Sequence, residues 1–374
     1  MLYTVPDYYH EFSCVVGKCE DTCCAGCQIV ADEASLEKYK NETGIFAERL
    51  KESVNWEEGT FKQDKERRCA FLNQSNLCDM YTALGEESLC RTCKLYPRHI
   101  EEFEDVREVT LSVSCPEVAR ILMNKKEQVH FLTYETDEEE DYEDFDPFFY
   151  SKLLDARDVM IDILQDREKK LNLRAALILA IARDLQECID EEDIFSMDDV
   201  FDYYQAEEGV REVKNALAEV DYYTYSRKMF QNQYQMEHLR ADWESYLQEV
   251  EKLLYGNVNE KIDKKRYVEM IQEFHAWMAK EMPEYEIQYE QLLAYFISTY
   301  FCGAVYDGEA FAKAQMAVVS TLLIHELLMA QWMKQEKVLD INDVIDTVYR
   351  YSRELEHSDS NLNLIQELLQ ESNE

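Results

Sequence analysis

Apolar positions recur at three- and four-residue steps through most of the chain, beginning near Phe148. Leu153, Leu154, Val159, Ile163 and Leu164 open the pattern, and Leu171 to Leu185 is apolar on most faces. The first run predicts an amphipathic helix and the second a buried one. The same spacing runs through Tyr234–Leu254, Tyr267–Ala279, Tyr285–Phe301, Phe311–Trp332 and Val344–Leu355. Residues 148–374 are therefore expected to form an all-helical domain, a bundle or array without an internal repeat.

The first third of the chain reads differently. Val109, Leu111 and Val113 alternate with Thr110, Ser112 and Ser114, which predicts a strand ending at Cys115. Pro116 and Glu117 then open a helix through about Met123, with a proline and an acid in its first turn. Asp32 to Tyr39 predicts a helix, and Phe46 to Leu50 a further helical turn. Asn73-Gln-Ser-Asn76 separates two short apolar runs and predicts a hairpin or tight loop. The expected class is mainly α, with a small cysteine-rich domain over 1–133 that carries a short strand or hairpin. Between the halves, Glu135 to Asp146 holds nine acids and no base, so residues 134–147 are expected to be an exposed, mobile acidic linker.

Composition supports helices: 374 residues contain only 9 glycines and 5 prolines. With 78 acids against 39 bases the net charge is −39, which argues against nucleic acid and against anionic membrane surfaces. It allows a basic or lysine-presenting partner. The N-terminus lacks a basic, then apolar, leader and no run of about 18 apolar residues is found, so a cytoplasmic protein is expected.

Chemistry concentrates in Cys14 to Cys115, which holds ten of the twelve cysteines. They read Cys14-x4-Cys19-x3-Cys23-Cys24-x2-Cys27, Cys69-x8-Cys78, Cys90-x2-Cys93 and a late Cys115-Pro116. In a reducing compartment this density favours metal ligation over disulfides. The spacing leaves zinc and an iron–sulfur cluster both open. Cys188 and Cys302 lie in apolar helical segments and read as small buried hydrophobes. His10 and His99 flank the cysteine domain as spare ligands. His325-Glu326 begins a His-Glu-x-x-His pattern, but Met329 stands where the second imidazole belongs, so no metal is expected there. No P-loop, nucleophile elbow or glycine-rich dinucleotide turn is present.

Several of these motifs resemble the flagellin lysine-N-methylase family. They are Val5-Pro6-Asp7-Tyr8-Tyr9, Phe12-x-Cys14-x4-Cys19-Glu-Asp-Thr-Cys23-Cys24-Ala-Gly, Cys69-x-Phe-Leu and Leu77-Cys78-x-x-Tyr81. Leu84-Gly85, Cys90-x-Thr-Cys93-x-x-Tyr96-Pro97-Arg98 and Ser114-Cys115-Pro116-Glu117 complete the set, which covers about the first third of the chain. The cysteine spacing is also similar to the wider CxxCxxCC group of zinc- or iron-chelating domains. The resemblance implies methyl transfer from S-adenosylmethionine to flagellin lysines, with a cysteine-ligated iron–sulfur cluster, or zinc, as the metal centre. Cys27 stands where the family usually has an aromatic residue. The expected ligands are therefore Cys14, Cys19, Cys23, Cys24, Cys69, Cys78, Cys90, Cys93 and Cys115. Lysine methylation needs a deprotonated amine and surfaces that favour cations. Tyr81, Tyr96 and the acids of Glu101–Glu104 are of the right type, and no catalytic base or donor-binding residue is assigned. A non-catalytic metal-binding adaptor or chaperone is the alternative.

Overall fold

The computed structural model describes residues 1–26, 28–137, 145–256 and 262–371. A four-stranded sheet carries the N-terminal part. Its strands are β1 (Leu2–Pro6), β4 (Arg98–Phe103), β5 (Val106–Leu111) and β6 (Phe131–Glu135), in the order β4-β5-β1-β6. A two-stranded ribbon, β2 (Val54–Asn55) with β3 (Thr60–Phe61), lies apart from it. β4 and β5 form an antiparallel hairpin with Ile100 opposite Val109, β1 runs parallel to β5, and β6 runs antiparallel to β1. The alternating run was expected to stay extended as far as Ser114, yet β5 ends at Leu111. Ser112 N–H bonds Pro97 O at 2.8 Å, and Cys115 N–H turns back to Ser112 O. The chain thereby leaves the sheet and delivers Ser112, Ser114 and Cys115 to the helix that follows.

That helix, Pro116–Asn124, starts at the expected proline with Cys115 as its N-cap. Helix Glu33–Asn41 is capped by Asp32, whose side chain accepts Ser35 N–H. The loop between Cys69 and Cys78 closes as expected, with a bridge between Leu72 and Cys78. Tyr134 and Glu135 pair with β1, and Asp146 caps helix Pro147–Gln165. Of the acidic stretch, residues 138–144 lie outside the described residues.

The helical half is organised around helix Ala310–Lys334. Most of its residues are buried, including Glu326, Ser320 and Gln315 among the polar ones. It is long and apolar enough to cross a membrane by composition, but 72% of its apolar window is buried inside the protein. A helix apolar all round is what a central core position demands. Helices Leu171–Asp190, Tyr285–Tyr300, Ile341–Glu356 and Asp359–Glu371 pack around it. The Tyr234–Leu254 pattern is not one helix, because the helix begins only at Trp243. The N–H groups of Leu239 and Arg240 instead donate to the Glu354 carboxylate at 2.7 and 2.9 Å, which holds that segment out of helical register.

Two apolar cores result. The larger joins Leu111, Val113, Val118 and Leu122 to the helical half. The smaller is built from buried residues between Ile29 and Cys90 and includes Phe61, Phe71 and Cys69. A buried ion pair fastens the sheet to the helices: Arg157 donates to both oxygens of Glu108 on β5, and Tyr150 OH adds a bond to the same carboxylate.

Candidate functional site at the thiol-bearing seam

The thiols fall into two neighbouring groups. Cys69 N–H bonds Cys24 O at 2.8 Å, bringing the first cysteine segment onto the second. The Cys69 thiol is pushed up to about 12, by burial first and then by Cys24, Cys78 and Cys90. Cys93 shares a proton with Cys90, which lowers Cys90 and raises Cys93, and Cys24 and Cys69 add to the rise. Cys24 and Cys69 thus tie together a set that also holds Cys78, Cys90 and Cys93. The second group is Cys14, Cys19, Cys23 and Cys115. Cys115 is pushed up to about 11, by burial first, and Cys19 is among its neighbours. Cys23 feels Cys115, and Cys19 feels Cys14. The vicinal pair links the groups: Cys23 donates to Cys24, holding Cys24 down at about 7 and raising itself.

The eleven described cysteines are free thiols, and Cys27 lies outside the described residues. Among the described residues no three His, Cys, Asp or Glu side chains already stand as a metal-ligating group. Cys14 is exposed, Cys302 is buried and Cys188 is half-buried. His10 is exposed, and His99 pairs with Glu101 at 2.6 Å.

Behind the second thiol group lies a buried polar seam that no local sequence signal marks. Helix Ile341–Glu356 supplies it. Arg353 donates from Nε to Ser114 O at 2.9 Å and from Nη2 to Asp21 O at 2.6 Å. Three residues on, Glu356 Oε2 accepts Ser112 Oγ at 2.5 Å and Tyr295 OH at 2.7 Å. Its Oε1 is buried and makes no close hydrogen bond among the described residues, while the Ser352 and Tyr300 hydroxyls lie near enough to act on the carboxyl. Burial raises the Glu356 carboxyl, and the Ser112 and Tyr295 hydroxyls offset part of that. His357 Nε2 sits 2.8 Å from Ser114 Oγ, and Tyr96 OH 3.1 Å from the same oxygen. Burial and Arg353 hold His357 down at about 3, so this imidazole is neutral. The Tyr96 and His357 rings meet edge to face at 5.4 Å, and Tyr300 and His99 lie 5.6 Å apart.

Tyr96 and Glu101, two residues of the expected type, thus belong to the seam, Glu101 through His99. Tyr81 is exposed and outside it. Glu356, Arg353, His357, Tyr295 and Tyr300 went unmarked, because charged and tyrosine positions on periodic helices read as solvent-facing or packing. The available sign was the run Ser352-Arg353-Glu354, three polar residues in succession, all of them buried.

Comparison with known proteins adds an independent line. The chain is 30% identical over 131 residues to the flagellar biosynthetic protein FliU of Salmonella muenchen, covering 32% of this chain and 76% of that protein. It is 29% identical over 131 residues to a lysine-N-methylase of Salmonella choleraesuis, and 30% to one of Salmonella typhimurium, covering 32% of each chain. The chain spans about a third of the length of these two lysine-N-methylases. No solved structure matches. The family profile of the FliB lysine N-methylase C-terminal domain matches residues 157–374, the helical half that carried no local motif. That match takes in more than half of the chain, and the chain belongs to the FliB lysine N-methylase family.

Proposed function

We propose that the chain is a protein-lysine N-methyltransferase that takes methyl groups from S-adenosylmethionine and delivers them to flagellin. The observation that carries the reading is Glu356, a half-buried residue of the family-matching half whose Oε1 is buried without a close hydrogen bond among the described residues, set beside the hydroxyls of Tyr295, Tyr300 and Ser352. A lysine ε-ammonium must lose its proton before it can act as a nucleophile. Burial raises the Glu356 carboxyl above the ordinary glutamate value, which makes it a stronger base, and its Oε1 is the proton acceptor in this reading. The faces of Tyr96, Tyr295 and Tyr300 favour cationic groups, which fits both an ammonium and a sulfonium. S-adenosylmethionine, when bound, supplies the sulfonium methyl that the neutral amine takes up in line.

The thiols fit a soft, multiply charged centre by their donor chemistry. Buried thiols that raise one another lose protons most readily to a shared cation. Cys24, Cys69, Cys78, Cys90 and Cys93 would hold one centre, an iron–sulfur cluster with zinc as alternative. Cys14, Cys19, Cys23 and Cys115 are the complementary set. A centre on Cys14, Cys19, Cys23 and Cys115 would help to fix the loops that carry Ser112, Ser114 and Asp21 against Arg353.

The test is incubation of purified protein with flagellin and methyl-labelled S-adenosylmethionine. Label recovered on flagellin lysines is expected. Flagellin binding without transfer, in protein with its metal content intact, would favour the adaptor reading.

A further inference from the structure

His325, set aside above because Met329 occupies the place of a second ligand, has an imidazole partner after all. It comes from another helix. His275 on helix Lys264–Glu281 brings its Nε2 to 2.9 Å from His325 Nε2. The rings meet at 67°, their centroids 5.1 Å apart, and His325 is wedged against Phe274 and Tyr289. On its far side, His325 Nδ1 is buried, makes no hydrogen bond and lies 3.5 Å from Glu326 Oε1. Glu326 is fully buried and fixed by Tyr255 OH at 2.7 Å and Tyr267 OH at 2.8 Å. His275 is exposed at the surface.

We propose that His275 and His325 form a two-imidazole site for a divalent d-block cation of the nickel or copper type, with water in the remaining positions. A carboxylate facing Nδ1 favours the tautomer that keeps its proton there and leaves Nε2 as a free donor pair, the arrangement that orients metal-binding histidines. Two nitrogens bound at about 2.0–2.1 Å and about 90° apart are about 2.9 Å from each other, whereas a tetrahedral ion sets them at about 3.4 Å. The observed 2.9 Å is the length of the hydrogen bond between the two rings, and it leaves both nitrogens within reach of adjacent positions of a square-planar or octahedral ion with little movement. On metal binding the proton that His275 Nε2 shares with His325 Nε2 moves to Nδ1 of His275, so both Nε2 nitrogens coordinate without net proton loss. Among the described residues no third His, Cys, Asp or Glu completes a three-ligand group, and His275 is exposed, so water would fill the remaining positions. The inference is independent of the methyl-transfer reading.

Because the chain's thiols also bind soft metals, the probe must report on the imidazoles themselves. Nickel(II) is titrated into the full-length protein while the imidazole ring signals of its seven histidines are followed by NMR. Substoichiometric nickel is expected to broaden His275 and His325 before the other histidines. In His275→Ala, a surface change, His325 should withstand at least tenfold more nickel. If neither ring shifts or broadens while others do, or if His275→Ala leaves the nickel dependence of His325 unchanged, no such site exists.

Discussion

Arg353 Nη1 lies 2.9 Å from Asp21 Oδ1, joining the first cysteine loop to a helix more than 300 residues later in the chain. The pair is largely removed from solvent, with Arg353 at 4% and Asp21 at 19% side-chain exposure. Arg240 grips the other Asp21 oxygen at 2.6 Å. Asp21→Asn takes a countercharge from two guanidinium groups: Arg240 keeps Asp242, whereas Arg353 is buried. Taking one partner from such a pair is costly, and the residual exposure here reduces the loss to about 2 kcal/mol. A urea unfolding series should show that shift, and Cys19 and Cys23 should react faster with a thiol reagent. Unchanged thiol reactivity would mean that the loop is held by other contacts.

The buried Glu354 predicts a pH dependence of stability. Its carboxyl is pushed up to about 7 by burial, while the N–H groups of Leu239 and Arg240 pull it partly back. A raised folded value means that the native state binds the proton more tightly than the unfolded chain does. Its stabilising contribution is therefore complete below the ordinary glutamate value near 4.5 and declines as pH rises to about 7. The decline is of order 3 kcal/mol. Glu354→Gln loses one acceptor for the two N–H groups, a cost independent of pH. The stability difference between wild type and variant should therefore shrink with rising pH across this window. A pH-independent difference would show that Glu354 is not protonated in the fold.

How much of this was legible in the sequence depends on the range of the contacts involved. Helix Ala310–Lys334 follows from local periodicity, and helix Pro116–Asn124 from one proline and one acid. β1 escaped notice because five residues ending in Pro6 carry little pattern, and its partner β5 lies about a hundred residues away. The thiol segments were visible from spacing alone. The division that sets Cys23 beside Cys115 and Cys24 beside Cys69 was not, since it depends on long-range pairing. Glu356 was illegible for the same reason: Ser112, its hydrogen-bond donor, is 244 residues away.

Cysteine replacements test the grouping. Cys93→Ser removes a thiol from the larger set and Cys23→Ser one from the set beside Arg353. Each should lower bound metal and destabilise the N-terminal part, because the remaining thiolates lose a shared cation. Cys302→Ala and Cys188→Ala should leave metal content unchanged, as neither is a neighbour of the two groups. Metal analysis of anaerobically purified protein, with an absorption spectrum, reads both results. Full metal content in both Cys23→Ser and Cys93→Ser would remove the metal-core reading.

Glu356→Gln tests the proposed chemistry most directly. The amide keeps an acceptor for Ser112 Oγ and Tyr295 OH, so the local fold should survive, and burying a neutral group removes a desolvation cost. What it cannot do is take a proton from an ε-ammonium. Loss of a positioned general base typically costs about 10²- to 10⁴-fold in rate. Methyl transfer to flagellin should fall by roughly 100-fold or more, with thermal stability equal to or above wild type. Tyr295→Phe keeps the carboxylate but removes a hydroxyl that stabilises its charged form, so the Glu356 carboxyl should rise further. The acidic limb of the pH–rate profile should then move to higher pH, with a smaller loss of rate at its plateau. A purely structural Glu356 would instead give equal losses of stability and activity in both variants and no displacement of the pH profile.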